Sequence, residues 1–250
     1  MAPSVTGSSG NRAERADVSA ADPKNLIWVM PAEEGVSEEV VVVVAGGSLP
    51  APQAARLVPP GAPVIAADSG LDNALELGLE TTFAIGDFDS ASPGALAAAA
   101  SSGVRMERYP AEKDASDLEL ALDVAIAMAP RRILVIATRG GRLDHGLANL
   151  LLLASDRYAG AEVDALVGDA LVHVVRRERT FEGEPGEFLT LLALNGPAVG
   201  VTTYGLAYPL RGETLEPGSS RGLSNVFEGG TARVTVELGV VLAVRPGVGA

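Results

Sequence analysis

The sequence predicts an α/β domain with a parallel sheet, followed by an all-β, sandwich-like domain. Up to about residue 168, short apolar runs alternate with stretches of helical period, which is typical of strands joined by crossover helices. Beyond residue 170, short strand-like runs are separated by Gly and Pro turns, and no helical period remains. We therefore expect a disordered tail over 1–37, the α/β domain over 38–168 and the all-β domain over 169–250.

Apolar runs predict the strands of both domains. The run at 40–45 consists of valines and an alanine without polar alternation, which is typical of a strand buried on both faces of a parallel sheet. The other predicted strands of the first domain are Val64–Ala67, 83–85, 104–109, Arg132–Ala137 and 163–167. Those of the second domain are 171–175, 189–194, 199–201, 232–238 and 240–244.

Helical spacing appears between the strands of the first domain. Leu71, Leu75 and Leu79 repeat every four residues and predict a helix that buries them on one face. An Ala-rich stretch predicts a helix over 94–102. Ser116 and Glu119 have the form of a capping box and predict a helix that ends near residue 129. The buried face of a last helix is predicted from Leu143, Leu147, Leu150, Leu151 and Ala154.

Composition argues against several classes of protein. The net charge is −13, and the only basic group, Arg176, Arg177 and Arg179, is interpreted as a solvated strand end, so we expect no nucleic-acid partner. No apolar run is long enough to span a membrane, and we expect no signal peptide. The chain has no cysteine, which agrees with a cytoplasmic location.

The stretch Gly86-Asp87-Phe88-Asp89-Ser90 carries the strongest chemical signal. Asp87 and Asp89 follow a predicted buried strand, and in extended backbone both carboxylates point to the same side. Neighbouring carboxylates repel unless one takes up a proton or a cation lies between them. A hard divalent ion such as Mg²⁺ resolves this repulsion and commonly brings substrate phosphates with it. A solvated acidic turn is the alternative.

Acidic residues also follow other predicted strands. Asp68 ends the second strand, and Asp114 and Asp117 follow the fourth, beside Lys113, the only lysine outside the tail. Because parallel strands end at one edge of the sheet, we expect these side chains to converge there. Each acid also has a structural explanation: an Asx-turn for Asp68 and a favourable helix N-terminus for Asp117.

A further loop of this kind follows Arg132–Ala137. Its glycine and charged residues are Arg139, Gly140, Gly141, Arg142 and Asp144. The arginines, together with Lys113, could neutralise phosphate oxygens, and the glycines allow close backbone approach to a ligand. The alternative for Asp144 is a simple ion pair with Arg142. No P-loop motif occurs, so a polyphosphate would depend on carboxylate-held Mg²⁺ and local cations.

These loops resemble the thiamine pyrophosphokinase family, whose members transfer a diphosphate from ATP to the hydroxyethyl group of thiamine and release AMP. The resemblance spans about residues 40–245. It rests on Ala67-Asp68-Ser69-Gly70, Gly86-Asp87-Phe88-Asp89-Ser90, Lys113-Asp114-Ala115-Ser116-Asp117, Gly140-Gly141-Arg142-Leu143-Asp144-His145, Thr203-Tyr204-Gly205-Leu206-Ala207-Tyr208-Pro209-Leu210 and Gly222-Leu223-Ser224-Asn225.

The resemblance implies an α/β nucleotide-binding domain, a β-sandwich thiamine-binding domain and a homodimer with thiamine between the subunits. It implies Mg²⁺ ligation by Asp87, Asp89 and Asp117, and a phosphate-transfer region lined by Arg142 and Asp144; these five residues form the catalytic set. The implied ATP-side residues are Asp68, Ser69, Gly70, Lys113, Asp114, Arg139, Gly140 and Gly141. The implied thiamine-side residues are Tyr208, Ser224 and Asn225.

The chain departs from the family at two places. The family often has Asp-Gly-Gly-Ala-Asn-Arg where this chain has Asp68-Ser69-Gly70-Leu71-Asp72-Asn73, and Tyr208 stands where some members have Trp. Two alternative functions are a D-x-D nucleotide-sugar transferase and a catalytically degenerate nucleotide-binding homologue with a regulatory role. The thiamine-side residues argue against the first, and the retention of every motif acid argues against the second.

Overall fold

The structure is a computed structural model that describes residues 39–138 and 142–247. The predicted tail lies outside the described residues, as do Arg139, Gly140 and Gly141. None of the helices in the two described ranges has the length and hydropathy of a membrane span.

The first part of the chain alternates strands and helices. Its strands are β1 (Val40–Val44), β2 (Val64–Ala67), β3 (Phe83–Gly86), β4 (Arg105–Arg108), β5 (Arg132–Ala137) and β6 (Glu162–Val167). Its helices are α1 (Gly70–Glu76), α2 (Pro93–Ser101), α3 (Asp117–Ala127) and α4 (Leu143–Leu153), with short 3-10 helices at Pro52–Leu57 and Asp156–Tyr158. The later strands are β7 (Ala170–Val175), β8 (Glu178–Glu182), β9 (Phe188–Ala193), β10 (Ala198–Tyr204), β11 (Arg211–Leu215), β12 (Asn225–Val226), β13 (Thr231–Thr235) and β14 (Val241–Arg245).

The strands form a large mixed sheet and a smaller antiparallel sheet. The large sheet has the order β12-β9-β14-β7-β6-β5-β1-β2-β3-β4, and β1 to β6 are parallel to one another. The small sheet has the order β11-β10-β13-β8, and all its pairs are antiparallel. This arrangement confirms the predicted fold class, an α/β fold with a parallel sheet and a sandwich-like β region.

The second region completes its sandwich with strands of the large sheet. Leu191 of β9 and Val241 of β14 share one buried apolar cluster with Val201 of β10 and Val234 of β13. The large sheet runs without a break across residues 168–169, because β6 pairs antiparallel with β7. The predicted boundary at these residues stays a prediction.

Two helices differ from their predicted packing. Helix α1 ends at Glu76, so Leu79 lies beyond it and Leu75 is exposed, whereas Leu71 is buried as predicted. In α4 the predicted inward face is wrong for three residues: Leu143, Leu147 and Leu151 are 77%, 55% and 49% exposed. Their spacing of four places them along one side of the helix, where they form an apolar stripe.

Half of the predicted capping box is present at the start of α3: Ser116 caps the helix, whereas the Glu119 carboxylate pairs with Arg157. The side chain of Ser116 accepts a hydrogen bond from the backbone N–H of Glu119 at 3.2 Å. The interior of this helix packs on the sheet through Leu118, Ala121, Leu122 and other buried residues. The cap therefore fixes where the helix begins, and with it the position of Asp117, the first helical residue.

The interpretation of Arg176 and Arg179 as a solvated strand end is wrong. The Arg176 side chain is 18% exposed and donates to the backbone carbonyls of residues 154 and 155 at 2.9 and 2.6 Å. The Arg179 side chain is 13% exposed and donates to both carboxylate oxygens of Asp164, at 3.1 Å each. His173 Nδ1 lies 2.9 Å from the same carboxylate, and Arg132 Nε lies 3.6 Å from it. This cluster, centred on Asp164 and called the Asp164 cluster below, joins β5, β6 and β7 of the large sheet to β8 of the small sheet.

Candidate active site

The ends of β2 and β3 bring three carboxylates together. Asp68 follows β2, and Asp87 and Asp89 follow β3, which is the parallel neighbour of β2. Each of these residues offers an oxygen within 4.8 Å of an oxygen of the other two. The backbone N–H of Asp68 donates to Ile85 O at 2.8 Å, and this bond fixes the loop after β2 relative to the loop after β3.

Gly86 allows this close approach. Its φ of +149° lies outside the range that L side chains adopt easily. A methyl group on Gly86 would lie 3.1 Å from the Cα of Asp68 and 3.1 Å from an oxygen of Asp117. Asp117, at the start of α3, therefore faces the same small space as Asp68, and a glycine leaves room for both.

The loop that carries Asp87 and Asp89 is held from inside. Phe88, between them, has a φ of +59° and is buried, so its ring anchors the loop, while Asp87 is half-buried and Asp89 is exposed. The guanidinium of Arg108 lies 5.2 Å from the centre of the Phe88 ring and donates a hydrogen bond to the backbone carbonyl of Asp87. The backbone N–H of Asp89 donates to Asp87 Oδ1 at 3.0 Å.

Lys113 links the acidic loop to α3. Its ammonium nitrogen lies 2.9 Å from Asp117 and 3.5 Å from Asp87, and its side chain is only 12% exposed. Burial works against the charged ammonium, but the hydrogen bond and the charge of Asp117, followed by those of Asp87, raise the pKa of Lys113 above its usual value. Lys113 therefore stays protonated and balances part of the negative charge.

The acids of the site differ in their tendency to ionise. Burial raises the pKa of Asp68, and the charges of Asp117, Asp87 and Asp89 raise it further, against the opposing hydrogen bond from the Ser69 backbone. Asp68 Oδ1 is buried and has no hydrogen-bond partner among the residues of 39–138 and 142–247. The pKa of Asp87 is lowered instead, first by the N–H of Asp89 and then, against burial, by Lys113.

Arg142 and Asp144 pair with each other at the start of α4. Arg142 Nη2 donates to Asp144 Oδ2 at 2.5 Å, and Arg142 Nε donates to the other oxygen at 3.1 Å. Both side chains are largely exposed, and the hydrogen bond from Arg142 lowers the pKa of Asp144 to about 2. The ion pair that the sequence analysis gave as the alternative for Asp144 is therefore present. A role for either residue in phosphate transfer stays a prediction.

The remaining ATP-side residues surround the start of α1 and α3. Ser69 lies half-buried at the N-cap position of α1, and Gly70 is buried as its first residue. Asp114 is exposed in the loop before α3. The predictions for Arg139, Gly140 and Gly141 concern residues outside the described ranges.

The thiamine-side residues lie together in the second region. Asn225 is buried, and its Oδ1 accepts from the backbone N–H of Tyr208 at 2.9 Å while its Nδ2 donates to Tyr208 O at 2.7 Å. Tyr208 is 60% exposed, beside a groove of about 810 Å³ lined in part by the neighbouring residues Ala207 and Pro209. Ser224 is exposed, and its backbone N–H donates to Thr190 Oγ1 at 3.0 Å.

Three residues near the site were not predicted from the sequence. Arg108 supports the acidic loop as described above, and Asp72 and Asn73 of α1 hydrogen-bond to two different loops. The position of Arg108 at the end of β4 could have indicated a role in the site, because β2 and β3, at the same edge of the sheet, are both followed by site residues. Asp72 and Asn73 lie where the chain departs from the family sequence, and no local pattern indicates which loops their side chains contact.

Two family models match the chain over most of the described structure. The catalytic domain of thiamin pyrophosphokinase matches residues 56–164, which contain Asp68, Asp87, Asp89, Lys113 and Asp117. The vitamin B1 binding domain of thiamin pyrophosphokinase matches residues 172–241. The chain belongs to the thiamine pyrophosphokinase family. The predicted membership is thus confirmed.

Individual members of the family are similar to the chain along most of their length. The thiamine pyrophosphokinase of Bacillus subtilis (strain 168) is 27% identical over 191 residues, which are 72% of this chain and 86% of the relative. A crystal structure of the Bacillus subtilis protein superposes with a TM-score of 0.73 at 24% identity, over 82% of this chain and 98% of that chain. A family member from Enterococcus faecalis has a TM-score of 0.69 at 27% identity, over 83% and 98%.

Proposed function

We infer that the chain is an ATP:thiamine diphosphotransferase, which converts thiamine and ATP to thiamine diphosphate and AMP. The observation that carries this inference is the meeting of Asp68, Asp87 and Asp89 at two strand ends, in a chain that matches both domains of the family. The acidic protein would also attract the cationic thiazolium ring of thiamine.

In this reaction the hydroxyl oxygen of thiamine forms a bond to the β-phosphorus of ATP. The bond from that phosphorus to the oxygen bridging the α- and β-phosphates breaks, AMP leaves with the bridging oxygen, and the hydroxyl proton is released. The protein contributes mainly by positioning the two substrates and by neutralising charge on the phosphates.

We propose that Asp68, Asp87 and Asp89 hold Mg²⁺ and that Asp117 completes the site. The residues fit the ion, because carboxylate oxygens are the ligands that Mg²⁺ prefers and because the buried Asp68 Oδ1 lacks a hydrogen-bond partner among the described residues. When bound, Mg²⁺ would neutralise phosphate oxygens and align the transferred diphosphate. The charge of Asp87, already favoured by Asp89 and Lys113, suits a metal ligand.

Lys113 and Arg142 are the proposed cationic contacts for phosphate. Lys113 is held between Asp87 and Asp117, at the edge where the diphosphate would lie. Arg142 is exposed, and Asp144 is its ion-pair partner among the described residues; such surface pairs are weak enough to exchange for a phosphate oxygen. Both cations would offset the repulsion between ATP and an acidic protein.

On the thiamine side, we propose that the exposed ring of Tyr208 stacks on the substrate. An aromatic side chain with an accessible face suits a planar, cationic ligand. Both polar atoms of the Asn225 side-chain amide are hydrogen-bonded to the backbone of Tyr208, so we assign Asn225 the task of holding that loop. Ser224, exposed next to it, is the better candidate for a direct contact.

We also propose a homodimer that contacts through α4. Leu143, Leu147 and Leu151 form an exposed apolar stripe directly after the loop that carries Arg142. Burying such a stripe against the same surface of a second copy satisfies the two-fold symmetry of most homodimers. A cytoplasmic location stays a prediction.

The deciding experiment measures AMP formation by the purified full chain with ATP and Mg²⁺, with and without thiamine. We expect AMP only when thiamine is present, and loss of AMP when EDTA is added. The variant Asp87→Asn should keep the wild-type circular dichroism spectrum and lose nearly all turnover. ATP binding without thiamine-dependent AMP would indicate a degenerate homologue and overturn the inference; full activity of Asp87→Asn would overturn the metal assignment.

A further inference from the structure

Two adjacent residues of α1, Asp72 and Asn73, contact two separate loops at the edge of the sheet where the acids lie. Helix α1 begins directly after Asp68, so both residues are close in sequence to the site without belonging to its carboxylate group. The family often has Asn and Arg at these two positions. The hydrogen bonds described below are made by the Asp and Asn side chains that this chain has instead.

Asp72 fixes the far end of the acidic loop. Its Oδ2 accepts a hydrogen bond from the backbone N–H of Ser92 at 3.0 Å. The side chain of Ser92 in turn caps α2 by accepting from the N–H of Ala95 at 3.1 Å. The segment that carries Asp87 and Asp89 is therefore held at its start by β3 and at its end by Asp72.

Asn73 fixes the loop after β1. It is 3% exposed, and its Nδ2 donates to Ala45 O at 2.9 Å and lies 3.5 Å from Ser48 O. The loop between these two carbonyls lies tightly on α1, because a methyl group on Gly46 would come within 2.5 Å of Ser69 Oγ. One buried amide thus spans both ends of a glycine loop beside the proposed ATP side.

We propose that Asp72 and Asn73 are positioning residues for diphosphate transfer. Asp72 sets the place of the metal-binding carboxylates through Ser92. Asn73 sets the place of loop 46–48, which follows β1 at the same edge of the parallel sheet as Asp68 and would approach the nucleotide. The proposal rests on the proposed function, and it requires hydrogen bonding from these side chains, with no direct contact to metal or substrate. A displacement of about 1 Å in such groups is enough to lower turnover about a hundredfold.

The test for Asp72 compares two substitutions in the full chain. Asp72→Ala removes the acceptor for Ser92, whereas Asp72→Asn keeps an oxygen in the same place and removes the charge. We expect Asp72→Ala to weaken Mn²⁺ binding about tenfold, measured by the electron paramagnetic resonance signal of free Mn²⁺, because loss of the hydrogen bond from Ser92 lets the segment with Asp87 and Asp89 shift. Asp72→Asn should bind Mn²⁺ nearly as the wild type does.

Glu76→Ala is the matched control, because Glu76 is an exposed acid on the same helix. If Asp72→Ala behaves like Glu76→Ala, Asp72 positions nothing. If Asp72→Asn is as weak as Asp72→Ala, the charge itself contacts the cation, and the positioning role is overturned. These comparisons use Mn²⁺ alone, so they hold even if the wild type makes no AMP with thiamine, which would overturn the proposed function separately.

The test for Asn73 separates the two loops. Asn73→Ala should raise the KM for ATP about tenfold while Mn²⁺ binding in the absence of nucleotide stays unchanged, because the acidic loop is held by Asp72. Circular dichroism and the melting temperature establish that the variant is folded. Equal effects on KM for ATP and on Mn²⁺ binding, or no effect on either in folded protein, would contradict the assignment of Asn73 to loop 46–48.

Discussion

The ammonium nitrogen of Lys113 lies 2.9 Å from a carboxylate oxygen of Asp117, and this pair ties the loop after β4 to the first residue of α3. The same nitrogen lies 3.5 Å from Asp87 of the neighbouring loop. A single ammonium therefore offsets charge from two acids that the family resemblance assigns to Mg²⁺. We therefore expect both Lys113 and a bound metal ion to reduce the electrostatic repulsion between these carboxylates.

We first predict that Lys113→Met makes the protein depend on Mg²⁺ for stability. Without the ammonium, the free energy of unfolding should fall by about 1–3 kcal/mol, because carboxylates lose a charged hydrogen-bond partner. Added Mg²⁺ should raise the melting temperature more in the variant than in the wild type, since it binds the folded state and reduces the same repulsion. Differential scanning calorimetry with and without Mg²⁺ measures both effects.

Arg131→Met is the control for this prediction. Arg131 pairs with Glu39, but both side chains are more than half exposed, at 58% and 60%, so the loss of this pair should cost less than about 1 kcal/mol. Its melting temperature should respond to Mg²⁺ as the wild type does. An unchanged response in Lys113→Met as well would show that Lys113 does not offset the charge of the site.

The second prediction concerns Asp68 and pH. Its pKa is raised in the folded state by burial and by neighbouring acids, so between the unfolded and folded values the native protein binds more protons than the unfolded one. Stability attributable to Asp68 therefore falls as the pH rises through that window. Asp68→Asn should remove this fall and raise the free energy of unfolding at neutral pH, because the buried charge is gone.

The same variant should lose thiamine-dependent turnover, since Asp68 is a proposed Mg²⁺ ligand. Urea titrations of metal-free wild type and Asp68→Asn between pH 4 and pH 8 measure the stability difference. Asp89→Asn is the control, because Asp89 is exposed in the same group of acids. A loss of stability in Asp68→Asn at neutral pH would show that the folded protein stabilises the ionised carboxylate, which contradicts the prediction.

Sequence patterns predict those parts of this fold that depend on local order along the chain. The uninterrupted valines of β1 predict a strand buried on both faces, and Val41–Val44 are buried. Ser116 and Glu119 predict the start of α3 to the residue. The acids after β2 and β3 meet because parallel strands end at one edge, which topology alone requires.

Contacts between distant segments were beyond the reach of these patterns. The apolar run of β7 would suit a buried strand of either sheet. Its sequence therefore does not indicate that β7 extends the large sheet beside β6. The Asp164 cluster contains residues from four strands. The sequence around Arg179 is typical of a surface strand end, and only the packing of β8 against Asp164 buries its guanidinium. The leucines of α4 have the spacing of a buried face, and that face is exposed in the single chain.

The third prediction tests the space around Gly86. Gly86→Ala places a methyl group 3.1 Å from both Asp68 and Asp117, so the acids must move apart. We expect the Mg²⁺ concentration for half-maximal activity to rise at least tenfold, because misplaced ligands bind the ion poorly. Gly78→Ala is the control: its φ is also positive, at +68°, but a methyl group there meets nothing within 4 Å.

Gly78→Ala should lose about 1–2 kcal/mol of stability from its left-handed backbone conformation. Gly86→Ala should lose at least as much, because a φ of +149° is almost confined to glycine. Only Gly86→Ala should change the dependence on Mg²⁺. Activity titrations with Mg²⁺ at saturating ATP and thiamine distinguish the two, and equal titrations for both variants would mean that the space near Gly86 does not matter to the metal.

The fourth prediction concerns the buried Asp164 cluster. Burial opposes ionisation of Asp164, but the hydrogen bond and charge of His173 and then those of Arg179 lower its pKa below the usual value. The cluster therefore stabilises the fold above the unfolded pKa of the carboxyl, and this contribution disappears as the pH falls through the folded pKa. Loss of stability below about pH 4 should be smaller in Asp164→Asn.

Asp164→Asn should also lower the free energy of unfolding near neutral pH by about 1–3 kcal/mol, because Arg179 keeps its charge on a side chain that is only 13% exposed, with Glu162 at 3.6 Å as its remaining carboxylate partner among the described residues. Asp156→Asn is the matched control: Asp156 pairs with Arg176 but is 93% exposed, so its loss should cost less than about 1 kcal/mol. Chemical denaturation at pH 7 compares them, and equal costs would mean that the buried cluster is no stronger than a surface pair.

The last prediction concerns the stripe on α4. Leu147→Glu places a charge at the centre of the stripe formed by Leu143, Leu147 and Leu151, so a dimer that buries it should dissociate, because an unpaired charge is costly to bury. Leu238→Glu is the control, since Leu238 is 70% exposed outside α4. Sedimentation velocity should show a dimer for the wild type and Leu238→Glu and a monomer for Leu147→Glu. A wild-type monomer, or a Leu147→Glu dimer, would remove α4 as the contact; in the second case the dimer would have to form elsewhere.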